Sequence, residues 1–294
     1  VFYAIVAYLL WGAFAAFFPL LQPAQPLEII AHRIVWTSIL MALLLSGTKG
    51  WKELRQADKR TWRTLVFAAL AIALNWLTYV TIVNSGHVAE AALGYFINPL
   101  VNVLLGLVFL GEKLRLLQKL SVGIAIFAVS VLVFLSGQPP LGGLVLAASF
   151  GVYGLLKKQV QLSAETSLAA ETFLLAPASL GYLIYLFSTG ELTFFQHGLG
   201  HALLLICTGF ITAIPMLLFN KATRLIPLGT IGMLQYLTPT MQMLWAVLIM
   251  HEQMPTIRWF GFIVIWISVA IFVWDIWLQR KPGGSGPRRP LPKA

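Results

Sequence analysis

The feature that most restricts this chain is its division into apolar blocks of about 18–22 residues. Each is long enough to cross a hydrocarbon slab of about 30 Å at about 1.5 Å per residue. No water can satisfy a free N–H or C=O inside hydrocarbon, so each block must close its own hydrogen bonds as a helix. A barrel would need alternating segments of about ten residues, and these blocks do not alternate. Composition agrees: of 294 residues, 59% are hydrophobic and 10% are charged. A soluble domain carries about 25% charged residues, because its surface faces water. The blocks run over 1–21, 28–46, 62–83, 88–110, 117–136, 141–159, 167–188, 200–220, 228–250 and 256–278. The first lacks a charged flank and a small-residue cleavage site, so it reads as a span and not a signal peptide. Pro23 and Pro26, Pro139 and Pro140, and Gly198 with Gly200 mark breaks between blocks.

The distribution of basic residues predicts orientation. One set of block ends holds 18 of the 20 Lys and Arg, leaving Arg258 at the opposite ends and Arg33 within a block. That set includes Lys49 to Arg63, Lys113, Arg115, Lys119, Lys157, Lys158, Lys221, Arg224 and the basic C-terminal residues. Such a split fits an even number of spans with both termini cytoplasmic. The net charge of +10 is therefore topological and does not point to nucleic acid. A single cysteine, Cys207, rules out a disulfide within the chain and supplies no zinc spacing. No metal and no cofactor is expected. The stretch 279–294 is rich in Pro, Gly and basic residues and reads as a disordered cytoplasmic tail.

A shift of 140 residues places Pro99 on Pro239, Glu112 on Glu252, Phe96 on Tyr236 and Tyr79 on Phe219. Pro and Glu are scarce here, so their coincidence indicates an internal repeat. The halves, 1–137 and 141–278, carry five spans each. Five is odd, so the second copy must be inverted. The expected fold is an all-α polytopic membrane protein of ten helices in two inverted five-helix repeats, a construction that places a substrate near the midplane.

Tyr95, Asn98 and Asn102 fall at i, i+3 and i+7 and form one polar stripe. The shift sends them to Gln235, Thr238 and Gln242. Amides in hydrocarbon need partners, so both stripes should face the bundle interior or a wet cavity. Two readings stay open: substrate contact, or glue between helices. Pro99 and Pro239 lie within the stripes and allow a bend. Trp11, Asn75, Tyr79 and Tyr236 complete the aromatic and amide set, with lipid-facing packing as the alternative for the aromatics.

Charges inside spans are functional by default. Arg33 lies a turn or two in from outside, where an anionic group or a backbone carbonyl could meet it. Glu171 lies a similar distance in from the cytoplasmic side and is the candidate for proton coupling; both could also snorkel to the interface. At those depths the two do not pair directly. His87 and Glu90 read as surface groups. Glu112 and Glu252 read as caps or loop ion pairs.

The run from Glu90 through Asn98, Pro99 and Asn102 to Gly111-Glu112 resembles the RarD branch of the EamA transporters, in the drug/metabolite transporter superfamily. His32-Arg33, Asn75-Trp76, Tyr153-Gly154 and Gln235-Tyr236 fit the same branch in order. The resemblance implies two EamA repeats, a central cavity and alternating access in a bacterial inner membrane. RarD proteins are associated by name with chloramphenicol sensitivity. Export of a small amphipathic metabolite or drug follows as the expected function, with the bilayer, the substrate and protons as partners. A membrane scaffold or a lipid flippase is the alternative. An enzyme is not expected: there is no His-Glu-x-x-His or Gly-x-Ser-x-Gly motif, and only Asp58 and Asp275 are available as aspartates.

Overall fold

A computed structural model describes residues 1–84, 88–135, 141–251, 253 and 256–280, with backbone alone at 83, 84, 88–92, 257, 258 and 280. The breaks at Pro139 and Pro140, the residues His87 and Glu252, and the tail from 281 lie outside the described residues, as do the side chains of Glu90 and Arg258. The described chain is helical, with no strand. Its elements are α1 (Phe2–Gly12), α2 (Phe14–Phe17), α3 (Pro26–Ser46), α4 (Gly50–Gln56), α5 (Lys59–Asn84), α6 (Val88–Phe109) and α7 (Leu116–Leu135). They continue with α8 (Leu141–Gln159), α9 (Ala164–Thr189), α10 (Gly198–Leu225), α11 (Leu228–Gln235), α12 (Leu237–Leu248) and α13 (Thr256–Arg280). Short 3₁₀ turns cover Phe18–Leu21 and Thr193–Phe195.

Among the described residues, eight helical stretches are long and apolar enough to cross a bilayer. A shorter apolar helix covers Leu93–Phe109. The block expected as one span over 228–250 is divided at Tyr236. Pro239 explains the division: without an N–H it leaves the Gln235 carbonyl unbonded, and its ring crowds that carbonyl. Pro99 would do the same to Tyr95, yet α6 stays continuous through it. The first block bends as well, ending α1 at Gly12 before α2 and the turn containing Pro19.

Large apolar side chains point outward on most helices, including Phe67, Leu104, Phe134, Ile184, Phe210 and Trp274. Polar side chains point inward. This inversion of a soluble protein is stable only where the outer face meets lipid. Inside, α3 packs on α9 and α10, α8 on α5 and α6, α11 on α6, and α13 on α7. With no hydrophobic drive between helices in lipid, close packing and polar contacts hold these seams. Ser121 and Ser268 each donate a hydroxyl to the other's carbonyl at 2.7 Å, stitching α7 to α13. Arg115 also reaches Asp275, through Nε at 2.7 Å and through Nη2. In the α4–α5 connection Asp58 accepts the Thr61 N–H at 2.8 Å, and hydrogen bonding to Thr61 holds its carboxyl below the usual range.

Glu112 is a cap, one of the two roles its position suggested. It accepts the Leu228 N–H at 2.6 Å and the Gly229 N–H at 2.9 Å, the first free donors of α11. A carboxylate there also opposes the positive end of the helix dipole. Glu112→Ala is expected to lower stability by about 1–2 kcal/mol, read as an earlier thermal unfolding midpoint of the purified chain. An unchanged midpoint would mean that solvent replaces the cap without loss.

Candidate functional site

The helices enclose a cavity of about 670 Å³. Pockets for drug-sized ligands span about 300–1,000 Å³. The two polar stripes meet on its wall: Tyr95 and Asn98 from α6, and Gln235, Thr238 and Gln242 from α11 and α12. Trp11, Arg33, Asn75 and Tyr79 line it from α1, α3 and α5. Gln22, Pro23 and Gln25 line the cavity and are also exposed, so it reaches the surface at the α2–α3 connection. The opposite end is shut by α11, all eight of whose residues are buried.

Several wall groups are fixed by neighbours. Asn75 Nδ2 donates to the Leu146 carbonyl at 2.9 Å and to Ser149 Oγ at 3.1 Å, holding α5 to α8. Thr238 Oγ1 donates to the Tyr8 carbonyl at 2.9 Å. Asn98 differs. Its residue is 3% exposed, and its Oδ1 has no hydrogen-bond partner. An unpartnered buried amide oxygen costs about 1–3 kcal/mol, and here it faces a cavity that could supply the donor.

Two sequence candidates stand off the wall. Asn102 Nδ2 donates to Gln235 Oε1 at 2.9 Å, tying α6 to α11 beyond the closed end of the cavity. The α6 stripe thus divides, with Tyr95 and Asn98 on the wall and Asn102 in the helix seam. Tyr236 donates its hydroxyl to the Phe96 carbonyl at 3.1 Å, on a different face from Gln235. Adjacent helical residues point about 100° apart, and here Gln235 faces the cavity while Tyr236 faces α6. The close seam depends on Gly232: a Cβ there would lie 2.5 Å from the Pro99 carbonyl oxygen.

Arg33 enters the cavity within an aromatic cage. Its Nε donates to Thr212 Oγ1 at 2.9 Å. Its guanidinium carbon lies 4.8 Å from the Trp76 ring centre, 5.6 Å from Phe18 and 5.8 Å from Phe14. Asn75 stands out in the sequence with Trp76 beside it, whereas Phe14 and Phe18 carry no signal there that sets them apart from the other apolar residues of the first block.

An aromatic layer closes the inner end. Trp11, Phe150 and Phe219 lie 5.4–5.9 Å apart, and Tyr153 stacks on Phe219 at 6.0 Å. On its far side the Tyr153 hydroxyl donates to Glu171 Oε2 at 3.1 Å. Glu171 does not snorkel: it is 1% exposed and pairs with Lys157 at 2.5 Å. Lys157 also donates to Ser167. Expected among the topological charges at the membrane surface, Lys157 is in fact 2% exposed. The correction has a simple cause: a carboxylate enclosed by helices is tolerated only with a counter-charge, and the last turn of α8 delivers one. A void of about 10 Å³, at the lower limit for one water, lies between Glu171 and the cavity, with Ile72, Trp76 and Met216 lining both. Elsewhere, His32 sits beside Glu28 at 3.8 Å, and Glu28 accepts the Thr193 N–H at 2.8 Å.

A sheath of outward apolar side chains around a polar and aromatic cavity defines a helical membrane protein of the transporter kind. The sequence profile of the EamA-like transporter family matches twice, over residues 1–134 and 140–274, and the chain belongs to that family. Within it the chain is of the RarD type: it is 45% identical to Protein RarD of Streptomyces exfoliatus, over 93% of this chain and 87% of that protein. It is also 41% identical to an uncharacterized transporter, PA0485, of Pseudomonas aeruginosa, over 95% of each. A crystal structure of a protein 18% identical matches with a TM-score of 0.72, over 95% of this chain and 98% of the other, and shows the same fold.

Proposed function

We propose that this bacterial membrane transporter is a secondary transporter of the inner membrane that exports a small amphipathic metabolite or drug by alternating access. Both termini are cytoplasmic, and residues 1–137 and 141–278 act as two inverted five-helix halves with ten spans in all. The carrying observation is the cavity of about 670 Å³ where the α6 stripe meets the α11–α12 stripe. Helix packing supports the two halves, because its pairings exchange under a shift of about 140 residues. The α3–α9, α6–α11 and α7–α13 pairs map onto themselves. The α6–α8 pair is answered by α12–α1, α5–α8 by α10–α1, and α10–α3 by α5–α9.

In this reading the cavity opens outward through the α2–α3 connection, and the α6–α11 seam with the aromatic layer forms the inner gate. Rocking of one half against the other would part that seam and close the outer mouth. Trp11, Arg33, Asn75, Tyr79, Tyr95, Asn98, Gln235, Thr238 and Gln242 contact substrate, while Asn102 and Tyr236 hold the gate. Pro239 supplies the break between α11 and α12, and Pro99 is the point at which the continuous α6 would bend during rocking. Glu171, behind the gate, is the group through which a proton gradient would act.

Purified protein in proteoliposomes is expected to carry members of a panel of amino acids and antibiotics. Flux is measured with and without a pH gradient. Saturable flux above protein-free vesicles supports the reading, and its absence across the panel favours a scaffold. Reporter fusions should place residues 111–119 and 251–256 on opposite sides of the membrane. Both segments on one side would remove the inverted halves, and rocking with them.

A further inference from the structure

Arg33 is the one charged side chain on the cavity wall among the described residues. No carboxylate lies within ion-pair distance of it among those residues, although the protein pairs Lys157, Arg115 and Lys221 with acids elsewhere. A guanidinium has five N–H donors. Here Nε is bonded to Thr212, and no acceptor among the described residues is bonded to the fork formed by Nη1 and Nη2. The rings of Trp76, Phe14 and Phe18 hold the group by cation–π attraction, but they accept no conventional hydrogen bond. A cation kept in such a place without a counter-ion is expensive. A planar oxyanion meeting the free fork through two parallel bonds would relieve that cost.

We propose that the substrate is a small organic anion, carrying a carboxylate or a similar oxyanion on a planar apolar body, and that Arg33 is its anion-binding group. The inference rests on the cavity being the transport site and adds the charge of the cargo. The anionic end pairs with Arg33. The apolar body lies among the aromatic side chains of the wall, within reach of Trp11, Tyr79 and Tyr95. A donor on that body meets the unpartnered Asn98 Oδ1. An organic cation finds no acidic group on the described wall and is repelled by Arg33. An anion leaving the cell moves down an inside-negative potential, so such a cargo needs no coupled proton.

The test uses the purified full chain in detergent and three probes of one shape: naphthylacetate, naphthylacetamide and naphthylmethylamine. Binding is read as the concentration-dependent rise in thermal unfolding midpoint. Naphthylacetate is expected to bind at least about tenfold more tightly than the amide, with the amine weakest. In Arg33→Gln that preference should vanish while the amide still binds, and Arg33→Lys should keep part of it. Should the amide or the amine bind wild-type protein as tightly as the acid, the charge assignment is overturned while the cavity remains a binding site. It is overturned equally if Arg33→Gln keeps the full preference for the acid. If none of the three raises the midpoint, the anion site falls, while the transport site stands or falls by the flux measured in proteoliposomes.

Discussion

Asn98→Leu should cut substrate flux in proteoliposomes by at least about tenfold while leaving thermal stability unchanged or slightly raised. The opposite directions follow from one atom. Asn98 Oδ1 is buried without a partner on the cavity wall, so the folded protein already bears the cost of its desolvation. Leucine has the same number and branching of side-chain heavy atoms and removes that cost. It also removes the acceptor that substrate would meet, and one such bond is worth about 1.5 kcal/mol, or roughly tenfold. Gln242→Leu should act in the same sense. Asn102→Leu should behave in the contrary way: it strips Gln235 Oε1 of its donor inside the helix seam and lowers stability by about 1–3 kcal/mol. Flux and melting temperature measured on the three variants separate wall from seam. Wild-type flux in Asn98→Leu and Gln242→Leu would assign both stripes to helix packing alone.

The second large effect concerns the pair behind the aromatic layer. Lys157→Met is expected to destabilise the protein by about 3–5 kcal/mol, because it leaves Glu171 buried without its counter-charge. The double variant Lys157→Met with Glu171→Leu should recover most of that loss, since a matched apolar pair avoids desolvating two ions. Unfolding midpoints of the single and double variants test this directly. A double variant no more stable than the single would show that Ser167 and Tyr153, and not the charge pair, hold this end of the bundle. The same protein probes coupling. If Glu171 carries the proton, the double variant folds and transports but loses its response to a pH gradient, as Glu171→Gln should also do. An undiminished pH response would remove Glu171 from any coupling role.

Much of the cavity wall was legible as periodicity. Tyr95 and Asn98 share a helix face because residues three apart must, and the shift of 140 residues carried that face to Gln235, Thr238 and Gln242. The same periodicity could not say where a stripe passes from wall to seam. That boundary depends on how closely α11 approaches α6, which Gly232 allows over the stretch that holds Asn102. Arg33 stood out as a charge within an apolar block, but its cage did not. Phe14 and Phe18 lie in the bent end of the first block, whose path no pattern in the sequence specifies.

Taken alone, the sequence determined that this chain lives in a membrane as helices, because apolar length and absent charge leave the backbone no other way to satisfy itself. It also determined which residues share a helix face. Only the tertiary structure decided that Lys157 belongs to Glu171 and not to the membrane surface, that Glu112 caps a helix more than a hundred residues away, and that Pro239 divides its block while Pro99 leaves α6 continuous. Each depends on which helices meet, at what rotation and depth. Those quantities are set by packing among chain segments far apart in sequence, where local periodicity carries no information.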